Sequence, residues 1–483
     1  MIDLSRRQLL AATAMASAWA TLPKYAQAAA PVQLTIEKRT LEVKGKPASV
    51  FAIRQPDGTQ GVRAKSGERF RVRLTNQAGE PSLIHWHGQT PPVAQDGVPG
   101  IGQDPIPNGQ SWDYDFPLRP GTHWMHSHHG LQEQLLMAAP LIVREDAKDD
   151  VQEVVILLHD FAFTLPDELL KTLQGGGGGH AGHSMPAVAP RHGTTGHEHG
   201  AHMGHGGQAA PMTMGHANDV DYDAYLANDR TLDDPEIVKV EKGGRVRLRI
   251  INGATTTAFT IDTGGLAAMT LSVDGNPVRP VQGSSFPLSM GQRIDLLLDI
   301  PKDGGAFPIL ALREAAIERT GVILATNGAK VSKLSGEGKA ASRLLDLSLE
   351  RRLTAVRSLP EKAPDRKLMV ELGEIMGRYV WTMNGKTYGQ DDPLKVKKGE
   401  RIELTMLNHS MMAHPMHLHG HHFQVVALGS QRVKGAMRDT VLVPAAMGEV
   451  TVAFDADNPG RWPLHCHNLF HMAAGMMTTV DYI

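Results

Sequence analysis

The sequence predicts an all-β protein built as three Greek-key β-sandwich domains. Three observations carry that expectation. Short strand-like runs are set off by Gly, Pro and Asp; long amphipathic helical periods are nearly absent; and one strand motif recurs three times. At 483 residues the chain is too long for one ordinary core, and length alone suggests about three domains.

The strand runs, in chain order, are Gln33–Val43, Arg69–Thr75, Leu141–Val143, Val154–Leu158, Arg245–Ile251, Arg293–Ile300, Arg401–Leu407, Phe423–Ala427 and Glu449–Phe454. Each alternates or clusters apolar residues over a strand-like length. The recurrent motif reads SGERFRVRLTN at 66–76, KGGRVRLRIIN at 242–252 and KGERIELTMLN at 398–408. Each copy is a turn, an alternating strand and a closing Asn, roughly 160–180 residues from the next. The expected domains are therefore 29–150, 151–340 and 365–483, the last boundary falling in a Lys/Gly/Ser-rich, then Arg/Pro-rich stretch.

Two segments fall outside this scheme. Ser5-Arg6-Arg7-Gln8-Leu9-Leu10 is a twin-arginine signal, followed by a weakly apolar run from Leu9 to Leu22 and a small-residue cleavage site at Ala26-Gln27-Ala28. Residues 1–28 are thus expected to direct the folded chain through the twin-arginine export machinery to the periplasm. That apolar run is too short to span a bilayer, and no later stretch is apolar enough to do so. Residues 175–216 open with five glycines and carry eight histidines and four methionines, with almost no large apolar side chain. Such a composition predicts a flexible insert in the second domain and a plausible scavenging site for copper.

Composition narrows the function. Hydrophobic content of 41% and charged content of 21% describe a soluble globular protein. A formal net charge of −2 gives no electrostatic case for nucleic acid or an anionic membrane. The chain has 24 His, 22 Met and one Cys. A single cysteine forms no internal disulfide, and imidazole with soft sulfur points to copper.

Four His-x-His pairs concentrate the chemistry: His85/His87, His126/His128, His417/His419 and His465/His467. Residues two apart on a strand share a face, so each pair presents two imidazoles to one place. The last pair brackets Cys466 and is followed by His471 and Met476; with His414 upstream, this is the His₂Cys set with a weak axial Met used for blue-copper electron transfer. Alternation sends Cys466 to one side and His465 and His467 to the other, giving an electron a short covalent path to a second centre. Eight paired imidazoles suffice for three further coppers.

With these motifs the chain resembles the multicopper oxidases, the class with three cupredoxin-like domains that includes laccases, ascorbate oxidase and bacterial cuprous oxidases. The resemblance spans essentially the whole mature chain. It implies four coppers. Type 1 copper would take His414, Cys466, His471 and axial Met476, and type 2 would take His85 and His417. The type 3 pair would take His87, His126 and His467 on one metal and His128, His419 and His465 on the other. Dioxygen would be reduced to water at the three-copper cluster. THWMHSHHGLQEQ at 122–134, MMAHPMHLHG at 411–420 and HCHNLFHMAAGM at 465–476 are most similar to the bacterial copper-resistance branch.

That branch implies Met412 beside the type 1 copper as a guide for Cu(I), with Met411 a rival for the role. Asp96 corresponds to an acidic residue that relays protons near the type 2 site. Ser410 stands where some cuprous oxidases carry an acid, a departure from that substrate site, and Met472 stands where many relatives carry a Glu, so that part of the proton relay is missing or rerouted. His123, His129, His159, His409, His421 and His422 have no ligand role in the family. The expected function is a monomeric copper-tolerance oxidase that converts Cu(I) to Cu(II) with dioxygen as acceptor. The alternatives are a laccase oxidising phenols and, from another class, a non-enzymatic copper-storage protein.

Overall fold

The computed structural model describes residues 30–145, 150–175 and 217–483. The expected export signal and all of the His/Met-rich insert beyond Gly175 lie outside the described residues.

Strands dominate, arranged as three two-sheet sandwiches. In the first, Lys46–Arg54, Val32–Val43, Arg69–Gln77 and Ser111–Pro117 form one sheet. Val62–Lys65, Ala138–Arg144, Gly121–Ser127 and Ile84–His85 form the facing one. The second sandwich packs a six-stranded sheet against a five-stranded one, and the third pairs sheets built around Arg401–Asn408 and around Arg461–Cys466. Each sandwich encloses its own apolar core, as alternating strands require. Every run expected to be a strand is one, within a few residues at its ends.

The threefold motif occupies the same place each time. Arg69–Gln77, Arg245–Asn252 and Arg401–Asn408 each pair in parallel with the first strand of their own sandwich. Antiparallel partners lie on their other side. The closing Asn explains itself here. Asn76, Asn252 and Asn408 are all fully buried. Asn76 donates to the carbonyls of Glu80 and Ile106, Asn252 to those of Thr257 and Leu288, and Asn408 to those of Met412 and Pro444. Each side-chain oxygen accepts from the backbone N–H two residues on. Only an amide offers two donors and an acceptor at that reach, so one residue type closes the same loop three times.

The longest helix among the described residues escaped the sequence reading. Pro166–Gln174 is an α-helix with Pro in its first turn, Asp167 and Glu168 at its positive end, and Leu169, Leu170 and Leu173 against the second core. Nine residues are too few for a helical period to stand out from the strand pattern around it.

The first and third sandwiches meet along the strands that bear the His pairs. Ile84–His85 pairs with Gly121–Ser127 so that His85 faces His126, and His414–Leu418 pairs with Arg461–Cys466 so that His417 faces His465.

Candidate metal centres

All eight paired histidines are buried in the seam between the first and third sandwiches. Their ring nitrogens fall into three groups: His85, His87 and His417; His87, His126 and His467; and His128, His419 and His465. Within each group the atoms lie within 4.8 Å of one another. A fourth group, His414, Cys466 and His471, lies inside the third sandwich.

Which nitrogen is free follows from what the other one does. Nδ1 of His85 meets the Asp96 carbonyl at 2.9 Å, and Nδ1 of His417 meets the Asp439 carbonyl at 2.8 Å. Nδ1 of His419 meets Asp96 Oδ2 at 2.7 Å, that of His126 meets Glu133 Oε2 at 2.9 Å, and that of His465 meets the Cys466 carbonyl at 2.9 Å. These acceptors fix the proton on Nδ1 and leave Nε2 with its lone pair. His87 is reversed: Nε2 faces Asp439 Oδ1 at 3.1 Å, and Nδ1 is left inward.

The inward nitrogens crowd together. Nε2 of His85 and His417 are 3.4 Å apart, those of His419 and His465 3.0 Å, and those of His128 and His465 3.4 Å. Nδ1 of His87 and Nε2 of His126 and His467 are buried with no hydrogen-bond partner among the described residues. Protonation of His87, His126, His128, His417 or His419 does not relieve this crowding, because burial first, and then neighbouring positive groups and imidazoles, push these five rings well below the ordinary histidine value. His465 is held down to about 4 and His467 to about 3, burial being the main cause in each. Converging lone pairs that neither share nor take up protons are what a cluster of cations requires, so the residues fit a metal site.

The Cys466 group is built differently. Nδ1 of His414 and His471 are 3.1 Å apart, and Cys466 Sγ lies 3.6 and 3.7 Å from them. Ser410 Oγ sits 2.8 Å from the outer nitrogen of His414, and Asp219 Oδ2 sits 2.9 Å from that of His471. The Trp381 ring stacks on His471 at 3.9 Å. Burial pushes the Cys466 thiol far above its ordinary value, so without a cation it stays protonated. The Asn468 N–H points at the sulfur from 3.4 Å, the kind of donor that steadies a thiolate once a metal has displaced the proton. Two imidazoles and one thiolate are the donor set that suits copper.

The two groups share a backbone. Cys466 turns into the apolar core of the third sandwich beside Met416, while the rings of His465 and His467 stand 5.7 Å apart in the seam. Met476 is fully buried, and its carbonyl accepts from the Cys466 N–H at 3.1 Å. Asp96 is fully buried behind His419 and His85 and anchors both rings. Ser410 leaves only a hydroxyl where an acid was looked for, and Met472 packs against Val98 and Ile101 of the first sandwich. Met411 and Met412 line a cavity of about 370 Å³ with Met290 and Glu314 of the second sandwich; Pro415, which follows His414, and Asn468, whose N–H faces Cys466 Sγ, are also on its wall. Burial pushes the Glu314 carboxyl up to about 7.

Sequence reasoning missed Glu133, Asp219, Asp439 and Arg293. Glu133 had a local signal, seven residues after His126, and burial raises its carboxyl to about 7. The other three belong to segments remote in sequence from the rings they serve. Asp439 reaches both His87 and His417, and Arg293 of the second sandwich grips its carboxylate at 2.7 and 2.6 Å. Of the histidines expected to lack a ligand role, His123 is buried against the Pro120 carbonyl and His422 bridges Asn276 and the Gly88 carbonyl.

Comparison with known proteins agrees with this geometry. Multicopper oxidase family profiles match residues 35–148, 153–329 and 361–482. The multicopper oxidase MmcO of Mycobacterium tuberculosis is 33% identical over 430 residues, covering 87% of this chain and 81% of its own. A copper resistance protein A homologue from Pseudomonas syringae pv. tomato is 24% identical, covering 92% and 91%. Among solved structures, Fet3p, described as a multicopper oxidase that functions in iron import, superposes with a TM-score of 0.75 at 18% identity over 93% of this chain and 90% of its own. Laccase from Botrytis aclada gives 0.73 at 21% identity, over 95% and 89%. The chain belongs to the multicopper oxidase family. It is an oxidoreductase with cupredoxin-like domains, and copper is the metal that the family's chemistry requires.

Proposed function

We propose that this chain is an exported cuprous oxidase that passes single electrons from Cu(I) to dioxygen, giving water. His414, Cys466, His471 and Met476 would hold the type 1 copper. His85 and His417 would hold type 2, with His87, His126 and His467 on one type 3 copper and His128, His419 and His465 on the other. Copper bound there supplies one-electron transfer at the sulfur and four-electron reduction of dioxygen at the histidine cluster.

The single observation that carries the reading is the His465-Cys466-His467 backbone, which joins the sulfur of one centre to imidazoles of the other. The chain's own groups do the rest. Asp96, Asp439 and Glu133 fix ring tautomers from outside the cluster. Glu133, held near 7 by burial, can keep a proton beside His126 and release it near neutral pH. This gives a proton store that does not depend on position 472, with Asp96 a second carboxylate for the relay.

Cu(I) as donor is supported by three thioethers, Met290, Met411 and Met412, on the wall of the cavity beside the Cys466 group. The resemblance to copper resistance protein A points the same way. The twin-arginine motif supports a periplasmic location, and among the described residues no helix is long and apolar enough to cross a membrane. A monomer is the simplest assembly, since each chain carries every residue of both groups.

The test is dioxygen uptake by copper-loaded protein with Cu(I) and, separately, with a phenol. Met290→Ala/Met412→Ala should lower turnover on Cu(I) at least tenfold while leaving phenol turnover within about twofold. Equal losses on both donors would favour a laccase with an aromatic donor. Deleting residues 175–216 separates a further contribution of the His/Met-rich insert, which would appear as a selective loss on Cu(I).

A further inference from the structure

Away from the metal groups, the three sandwiches meet around an arginine-lined cavity that the copper chemistry does not use. Its larger lobe, about 490 Å³, is walled by Arg119 of the first sandwich, Arg247 and Arg249 of the second, and Arg357 on the way to the third. A second lobe of about 400 Å³ shares Arg247 and Arg249 and adds Arg144 and Arg245. Strand alternation explains the ladder: residues 245, 247 and 249 point the same way from one strand, out of the second core and toward the junction.

Among the described residues, three carboxylates serve the six arginines. Glu153 takes Arg144 and Arg249, Asp295 takes Arg247 and Arg249, and Glu145 lies 3.9 Å from Arg357. Arg119 and Arg245 have no ion-pair partner among the described residues, and Nε of Arg119 is buried without a hydrogen-bond partner. The corresponding ladder of the first sandwich is different: Arg69, Arg71 and Arg73 are all met by Asp113 or Asp115 on the neighbouring strand. Nearby Arg63 is held below the ordinary arginine value by burial, then by the repulsion of Arg144 and Arg249. Like charges that outnumber the described carboxylates in a partly enclosed space make a site for an anion.

We propose that this junction binds a small multivalent oxyanion, such as sulfate, phosphate or a diphosphate, which ties the three sandwiches together. Guanidinium groups suit tetrahedral oxyanions because each can offer two parallel N–H donors. Two lobes sharing Arg247 and Arg249 give room for a ligand with two anionic groups. The floor of the larger lobe includes Gly275, packed so closely on His123 that a Cβ there would lie 2.5 Å from the ring. Beyond His123 lie Arg293 and Asp439, so a bound anion braces the wall behind His87 and His417.

The experiment titrates copper-loaded full-length protein with sulfate and with pyrophosphate by calorimetry, against sodium chloride at matched ionic strength. Copper content is measured after each titration. One site per chain is expected, tighter for pyrophosphate, with a saturable rise in thermal midpoint that chloride does not give. Arg245→Gln and Arg357→Gln, both exposed positions, should each weaken binding several-fold, and the pair by about tenfold or more. Dioxygen uptake without added anion should stay at the wild-type level in the pair. The proposal is overturned if neither sulfate nor pyrophosphate binds beyond the chloride control, or if the double variant binds with wild-type affinity.

Discussion

Asp439→Asn is the most informative single perturbation of the metal cluster. Burial by itself would raise this carboxyl, but the Arg293 guanidinium overrides it and holds Asp439 ionised far below the usual range. Arg293 is fully buried, and its other carboxylate, Asp274, lies 3.7 Å away and is already shared with Arg438 at 3.1 Å. An amide at 439 therefore leaves a buried cation largely uncompensated, which costs about 3–5 kcal/mol. It also weakens the acceptor that keeps the proton of His87 on Nε2. Loss of such an outer partner lowers metal affinity by roughly 10–100-fold.

The Cys466 group has no contact with Asp439, so the two losses should separate. The purified variant should keep the thiolate absorption near about 600 nm, carry less than its full copper, lose dioxygen uptake and unfold at lower urea. Wild-type copper content together with a wild-type unfolding midpoint would refute the argument that the Arg293–Asp439 pair holds the cluster wall.

Cys466→Ser should abolish the absorption near about 600 nm and turnover on every donor while the histidine cluster still binds metal, as copper content and electron paramagnetic resonance would show. Gly97→Ala should damage the seam from a distance: φ is +80°, and a Cβ would sit 1.8 Å from the Ile84 carbonyl oxygen, so the strand carrying His85 must move. Copper content should fall with the Cys466 absorption retained; full loading and activity would count against it. The copper-free protein should lose stability in acid. His465 has a folded value of about 4 against an ordinary 6.5, so the unfolded chain takes up the proton first as pH falls. Its contribution is whole above about pH 6.5 and lost progressively toward pH 4, on the order of 3 kcal/mol. Urea midpoints that stay flat from pH 7 to 4.5 would contradict this.

Much of this site is legible before folding because its first layer obeys local rules. A spacing of two on a strand puts His85 with His87 and His465 with His467 on common faces, and a single Cys between two of those histidines has few other uses. The threefold motif likewise reports itself, down to an Asn whose side chain closes the same loop in each sandwich. The outer layer is different. Asp439 meets His87, and Asp219 meets His471, across hundreds of residues, Arg293 reaches Asp439 from another sandwich, and no periodicity links them. Proton storage at Glu133 depends on burial, which the run Gly130-Leu131-Gln132-Glu133 does not reveal.

The sequence by itself determined the strand class, the three repeated units and the set of nitrogen and sulfur atoms that converge, since each depends on short-range periodicity and side-chain chemistry. Tertiary structure alone decided which His faces which, which ring nitrogen is left inward, and what lies behind it. It also decided whether every arginine of a ladder meets a carboxylate, as at 69–73, or whether one, Arg245, is left without an ion-pair partner among the described residues, as at 245–249. Those outcomes depend on packing separate sandwiches against one another, where burial and charge partners are set by contacts that no local pattern encodes.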